Sequence, residues 1–107
     1  MVERDFSVMV VRPKQPYLDW TRSDDDQSVQ VSLEDLRHDC TAYVVPVVES
    51  PEDEQRVVRK YHAQVFENEL FSWSTDPSTW PKRRGLKTFR EWFDVEFHSV
   101  VMSLTGA

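Results

Sequence analysis

The residues that could carry out nucleophilic or metal chemistry are few and poorly spaced for it. The chain has one cysteine, Cys40, which directly follows His38 and Asp39. A catalytic Cys–His pair must meet in space, and consecutive residues of a strand point to opposite faces. Adding His62 and His98 gives the ligand types of a zinc site without the short-range ligand pairs of structural zinc. We therefore expect no metal and no cofactor, with His38 ending a helix and Cys40 buried where a strand begins.

Carboxylates that could form an acid–base pair occur at Glu67, Glu69, Glu91, Asp94 and Glu96. Acids make up 19 of the 107 residues, so most of them are expected to lie on solvated faces. The chain has only two glycines, too few for most nucleotide-cradling loops, and no nucleophile elbow. We therefore expect no catalytic residue. The alternative is a small enzyme or enzyme subunit that uses His62 or His98 as a base beside carboxylates.

One stretch combines aromatic and basic side chains. We call it the basic patch, and its members are Trp80, Lys82, Arg83, Arg84, Lys87 and Arg90. The segment 82–90 has five basic residues and no acidic one, whereas the rest of the chain has 8 basic residues against 19 acidic ones, a net charge of −11. This contrast is the most unusual electrostatic feature of the sequence.

The basic patch permits three interpretations. Arginine clamps carboxylates, so the patch could bind an acidic surface of a protein partner, which is the function we predict. Basic residues interleaved with aromatic ones also suit single-stranded nucleic acid, but a pI of about 5 is opposite to the usual footprint of such proteins, which makes that partner unlikely. In the third interpretation the patch only neutralises acids of its own domain, and Trp80 covers the end of the longest helix.

That helix is predicted from Ser50 to Trp73. Ser50 is a good N-cap, Pro51 suits the first helical position, and Asp53 completes a box-like arrangement. The apolar side chains recur every three or four residues and form a stripe that must face a core: Val58, Tyr61, Val65, Phe66, Leu70, Phe71 and Trp73.

Three β-rich segments, at roughly 6 to 12, 41 to 48 and 96 to 104, predict a small sheet. The last is ambiguous, because a helical spacing also continues through it; we choose a strand because two strands alone are marginal in water. The fold class is α+β, a two-layer domain in which a three-stranded sheet packs on one long helix plus short helices. The first two strands are apolar on both faces, so either the 17–38 segment or a second copy of the chain is expected to cover the second face. The latter predicts a homodimer.

The shorter elements are predicted from local signals. Ser32 and Asp35 indicate a capped helix from Leu33 to His38, and another is predicted from Leu86 to Phe93. After Trp73 the chain is rich in turn signals, and Ser78 is expected to cap a short helical turn.

The region after the first strand contains two prolines and is predicted to lack a helix or strand. Pro13 and Pro16 predict an extended exit from the first strand, and residues 17–30 are expected to be a surface connection. Its three aspartates, 24–26, lack the alternation of a calcium loop.

The length of 107 residues predicts one globular domain, spanning residues 1–107. The beginning, MVERDF, is not a secretory signal, and the longest apolar run, 42–48, is far too short to cross a bilayer. With one cysteine excluding an internal disulfide, a cytoplasmic protein with no membrane partner is expected.

Several aromatic-rich segments carry a resemblance to other chains. They are Phe66-Glu67-Asn68-Glu69-Leu70, Trp73, Trp80-Pro81 and Phe89-Arg90-Glu91-Trp92-Phe93. In these segments the chain resembles a group of small bacterial proteins of unknown function. The resemblance implies a bacterial, cytoplasmic protein and assigns no role to any residue.

Overall fold

The computed structural model of the protein describes residues 2–3, 5–22 and 31–105. In chain order, the elements are β1 (Val2–Glu3), β2 (Ser7–Pro13), α1 (Gln15–Arg22), α2 (Leu33–His38), β3 (Thr41–Val45), α3 (Pro51–Trp73), a 3-10 helix (Pro77–Thr79), α4 (Leu86–Trp92), β4 (Phe93–His98) and β5 (Val101–Met102).

The central sheet has three strands in the order β3-β2-β4, and every pair is antiparallel. Met9 in β2 lies opposite Tyr43 in β3 and Phe97 in β4, which fixes the register. The very short β1 and β5 pair with each other in a separate ribbon. Together with the 23-residue helix α3, this arrangement confirms the predicted α+β fold class.

The inner face of the sheet packs on α3, and its outer face stays partly open. Along β2, Ser7, Met9, Val11 and Pro13 are buried, and the residues between them are only half-buried. Val44, on the outer face of β3, is 70% exposed. In a single copy of the chain, the second face of these strands is therefore only partly covered.

Helix α2 lies against β2 at one end of the sheet. There the Arg37 guanidinium donates to the Pro13 carbonyl at 2.9 Å and to Asp94 Oδ2 at 3.2 Å. The 17–38 segment thus contributes to covering the sheet, as one of the two alternatives expects, but Val44 remains exposed. The homodimer stays a prediction.

Helix α3 begins as its sequence predicts. Ser50 Oγ accepts from the Asp53 backbone N–H at 3.2 Å, although the Asp53 carboxylate accepts from the Glu49 N–H rather than closing a box on Ser50. The buried face of α3 differs from the predicted apolar stripe at Phe71, which the stripe includes, and at Glu69, which it does not. Phe71 is 55% exposed, and Glu69 is buried, because the face of α3 that meets the sheet is rotated toward Glu69.

The largest core side chains form an aromatic cluster between α3, α4 and β4. Phe66 lies 5.3 Å from Phe93 and 6.1 Å from Phe89, measured between ring centroids, and Phe89 lies 5.2 Å from Phe93. Tyr17 of α1 joins them, 5.5 Å from Phe93. Rings at these separations add to the stabilisation from burial.

The segment after Pro13 differs from the prediction of an extended exit followed by a surface connection. Residues 15–22 instead form α1, with Pro16 in the first turn, where its missing N–H has no helical partner. Tyr17, Leu18 and Thr21 are buried at helical spacing. Residues 23–30, including the three aspartates, lie outside the described residues.

The other corrections concern where elements begin and end. The third strand of the sheet runs over 93–98 rather than 96–104, because α4 ends at Trp92 and the chain enters β4 without a loop. Strand β3 ends at Val45, just before Pro46, rather than at residue 48. The 3-10 helix is capped by Asp76, whose carboxylate accepts from the Ser78 N–H at 3.0 Å, so Ser78 is not the cap.

Candidate functional site

The basic patch follows the 3-10 helix and continues onto α4. Trp80 is half-buried, and its indole N–H donates to the Ser74 carbonyl at 2.9 Å, which fixes the ring just beyond the carboxyl end of α3. Lys82 and Arg83 are exposed in the connection, and Lys87 and Arg90 are exposed on α4.

Arg84 is the one basic side chain of the patch that packs on the protein. Its guanidinium donates to the Pro81 carbonyl at 2.8 Å and lies 5.8 Å from the centre of the Trp80 ring. Such a cation over an indole contributes about 0.5–1 kcal/mol at an exposed site. Arg84 therefore joins the anchored indole to the rest of the patch.

The positive charges of the patch form no ion pair in the described part of the chain, although Glu91 directly follows Arg90 on α4. Within it, no carboxylate lies within 4.0 Å of a charged nitrogen of Lys82, Arg83, Arg84, Lys87 or Arg90. By contrast, Arg12, Lys14, Arg37 and Arg56 all form ion pairs elsewhere, at 3.0 to 3.8 Å.

A groove lies between α3 and β3, and Trp80 lines it. It encloses about 880 Å³. One wall is a row of α3 side chains at three- and four-residue spacing, Tyr61, Gln64, Asn68 and Phe71, and residues 43–46 line it from the β3 side. Because Trp80 is held beside the end of α3, the groove reaches one edge of the basic patch.

A buried carboxylate is hydrogen-bonded beside this groove. Glu69 is 6% exposed, and the Tyr43 hydroxyl donates to its Oε2 at 2.5 Å. Asn68 Nδ2 in turn donates to the Tyr43 oxygen at 2.9 Å. Burial, and then the hydrogen bond to Glu69, raise the pKa of Tyr43 well above its usual value.

A second tyrosine reaches the same residue. The Tyr17 hydroxyl donates to the Glu69 carbonyl at 2.7 Å, and burial raises the pKa of Tyr17 to about 12. Both phenols are therefore neutral donors at pH 7, which suits them to hold Glu69 in place. Sequence reasoning missed this cluster; the available signal was a glutamate three residues after Phe66 and one before Leu70, in the middle of an apolar stripe.

Among the residues considered for catalysis, the fold brings His98 and Glu96 together and gives His62 no carboxylate partner in the described chain. His62 contacts the Arg59 carbonyl at 2.9 Å through Nδ1, and His98 lies 2.6 Å from the exposed Glu96 carboxylate. No histidine is among the side chains that line the groove. Cys40 Sγ lies 3.5 Å from the Arg37 carbonyl, and partial burial raises its thiol pKa.

The two carboxylates considered as a pair on α3 lie in different environments. Glu67 is exposed on α3 while Glu69 is buried. In the described part of the chain, no group of three or more His, Cys, Asp and Glu side chains is arranged to hold a metal ion.

Comparisons with protein-family models, with curated proteins and with solved structures gave no match. The resemblance to small bacterial proteins therefore stays a prediction. Among residues 2–3, 5–22 and 31–105, no helix is both long and apolar enough to cross a membrane.

Proposed function

We propose that this protein is a non-enzymatic interaction module whose basic patch binds an acidic surface of a partner protein. The observation that supports this function is the combination of five basic side chains that form no ion pair in the described chain and an indole fixed at their edge. A half-buried tryptophan beside arginines combines residue types that are enriched among those that dominate binding energy.

The absence of ion pairs bears on the alternative in which the patch neutralises acids of its own domain. In an exposed pair the two charges contribute at most about 1 kcal/mol, and only when they are close. Since no such pair forms in the described residues, a partner's carboxylates would not have to displace any. When a partner binds, the charged groups of Lys82, Arg83, Lys87 and Arg90 therefore lose only water, while Arg84 also contacts Pro81 and Trp80.

The charge of the whole chain sets the range of this attraction. With a net charge of −6, the protein repels acidic molecules at long distance. At physiological salt, charges are screened beyond about 8 Å, so the patch acts only on groups close to it. This favours a partner with a local acidic site over a polyanion such as nucleic acid, whose binding depends on many phosphate contacts.

The test is a nuclease-treated pull-down from native lysate with the wild type and the variant Arg83→Glu plus Lys87→Glu. Both side chains are exposed and have no ion-pair partner in the described chain, so reversing them leaves the fold intact, whereas Arg84 packs on Trp80. We expect one discrete protein that the wild type retains and the variant loses, with affinity at least about tenfold weaker after four units of charge change.

The matched control is Arg59→Glu plus Lys60→Glu, which changes the net charge equally on exposed positions of α3 that form no ion pair in the described chain. It should retain the partner. If the control and the patch variant lose it equally, net charge rather than the patch explains binding. If wild type and patch variant capture the same proteins, the proposed function is wrong.

A further inference from the structure

The free edge of β3 has hydrogen-bonding groups that no strand uses. In the order β3-β2-β4, β3 is an outer strand, so one side of its backbone has no neighbour among the described strands. Such an edge is a template for another extended chain. Which of its residues point outward follows from the pairing of β2.

One hydrogen bond shows which backbone groups of β2 face β3 and which face β4. The Lys14 N–H donates to the Trp92 carbonyl at 2.7 Å, which continues the pairing of Pro13 with Phe93 by one residue. Backbone groups of even-numbered residues in β2 therefore point toward β4, and those of odd-numbered residues toward β3. Met9 pairs with Tyr43 on that side.

Consequently Thr41, Tyr43 and Val45 direct their backbone groups toward β2, and Ala42 and Val44 direct theirs away from the sheet. Both outward residues are exposed. The edge thus offers two N–H donors and two carbonyl acceptors, spaced as a strand needs them.

The groove lies beside the same edge. A chain added to β3 would place every second side chain on the inner face of the sheet, against the wall formed by Tyr61, Gln64, Asn68 and Phe71. That wall is mixed, because the rings of Tyr61 and Phe71 lie at its two ends and the amides of Gln64 and Asn68 lie between them. Apolar side chains at alternate positions would fill it.

The charge expected of the occupant is set by the side chains at the Trp80 end of the groove. The described lining of the groove includes the carboxylates of Asp5 and Glu67 and none of the five basic side chains. Just beyond Trp80, however, the Arg84 guanidinium lies over the indole, and Arg83, next to it in the chain, forms no ion pair in the described chain. An extended segment that leaves the groove past Trp80 meets these two guanidinium groups. Carboxylates at that end of the segment would complement it.

We propose that the partner presents an extended segment that adds as a strand to the free edge of β3, with apolar side chains at alternate positions in the groove and acidic residues at the Trp80 end. This inference rests on the proposed function and specifies the binding mode and the chemistry of the partner. It requires both halves: the backbone edge at Ala42 and Val44, and the basic patch.

The experiment selects ligands from a phage-displayed library of random 12-residue peptides on the full-length protein. The enriched peptides should alternate apolar residues and carry two or more acids toward one end. The affinity of the most enriched peptide is then measured by fluorescence anisotropy. Amide hydrogen exchange at Ala42 and Val44 should slow when this peptide binds, and exchange at Tyr43, already directed toward β2, should change little.

Val44→Pro removes one outward N–H at an edge position without removing a donor from the ladder with β2. It should weaken peptide binding about tenfold or more, whereas Val44→Ala, which keeps the N–H, should weaken it less than about threefold. Because a proline variant can misfold, the peptide is also N-methylated at either set of alternate residues. One set should abolish binding, and the other should not.

The outcomes separate this inference from the proposed function. One outcome is acid-rich peptides without alternation, whose binding is lost in Arg83→Glu plus Lys87→Glu but unchanged by Val44→Pro and by N-methylation of either set of residues. This outcome overturns strand addition and leaves the proposed function standing. Alternating peptides without acids, indifferent to the charge reversal, overturn the acidic partner in both proposals. No enrichment at all overturns both.

A second copy of the chain is the competing occupant of this edge. Light scattering of the wild type at micromolar concentration tests it directly. A dimer of the 12.7 kDa chain that becomes a monomer in Val44→Pro but not in Val44→Ala assigns the edge to self-association and overturns the inference.

Discussion

Removing the Tyr43 hydroxyl tests whether it holds the buried carboxylate of Glu69. In Tyr43→Phe the ring remains, but Glu69 Oε2 loses the donor that lies 2.5 Å away, while the carboxylate stays 6% exposed. A hydrogen bond to a charged group contributes about 1.5–3 kcal/mol, and a buried charge left without it costs at least as much. We therefore expect the free energy of unfolding to fall by about 1.5–3 kcal/mol at pH 7.

The assay is urea unfolding, monitored by tryptophan fluorescence. For a chain of this length, each kcal/mol corresponds to about 4 °C in Tm, so thermal unfolding should move down by about 6–12 °C. The matched control is Tyr61→Phe. Tyr61 is also half-buried, but its hydroxyl forms no hydrogen bond within the described residues, so its loss should cost less than about 0.5 kcal/mol.

A double-mutant cycle identifies the cause. In the background Glu69→Leu, which replaces the carboxylate with an apolar side chain of similar size, Tyr43→Phe should cost less than about 0.5 kcal/mol. If Tyr43→Phe costs the same in both backgrounds, or no more than Tyr61→Phe, the hydroxyl does not stabilise Glu69 and our interpretation of the cluster is refuted.

Two further predictions concern helix caps. Ser50→Ala removes the oxygen that accepts from the Asp53 N–H and should lower stability by about 1 kcal/mol, seen as a lower urea midpoint, while Ser50→Asp should restore it. Hydrogen bonds from the Ser32 backbone and hydroxyl lower the pKa of Asp35 below its usual 3.8, so this contribution is present above that pH and is lost as pH falls through the lowered value. Asp35→Asn should therefore show a smaller drop in Tm between pH 6 and pH 3 than the wild type; an equal drop would contradict this.

Elements with strong local signals were predictable from sequence. Helix α2 matches its expected bounds, and α3 begins at Pro51 beside its cap Ser50, because a cap and the N–H groups it satisfies lie within a few residues of each other. Helix α1 was not predicted, since Pro16 is compatible with an extended exit as well as with a first helical turn. The start of β4 was misplaced because Phe93 and Phe97 fit a helical spacing as well as a strand face.

The residues of the candidate site divide in the same way. The basic patch is visible in the sequence because its members are close along the chain, and its composition alone sets its sign of charge. Its lack of ion pairs in the described residues is a property of packing. The Tyr43–Glu69 hydrogen bond joins residues 26 positions apart, so no local pattern predicts it.

By itself, the sequence determined the class of fold, the long helix with its cap and the charge contrast between residues 82–90 and the rest of the chain. These follow from periodicity, capping and composition, which act over one or two turns. Only the tertiary structure decided which face of α3 is buried, and hence that Glu69 is covered and Phe71 exposed. It also placed the free edge of β3, the groove and Trp80 side by side, because the packing of α3 across the sheet brings together segments that the chain keeps far apart.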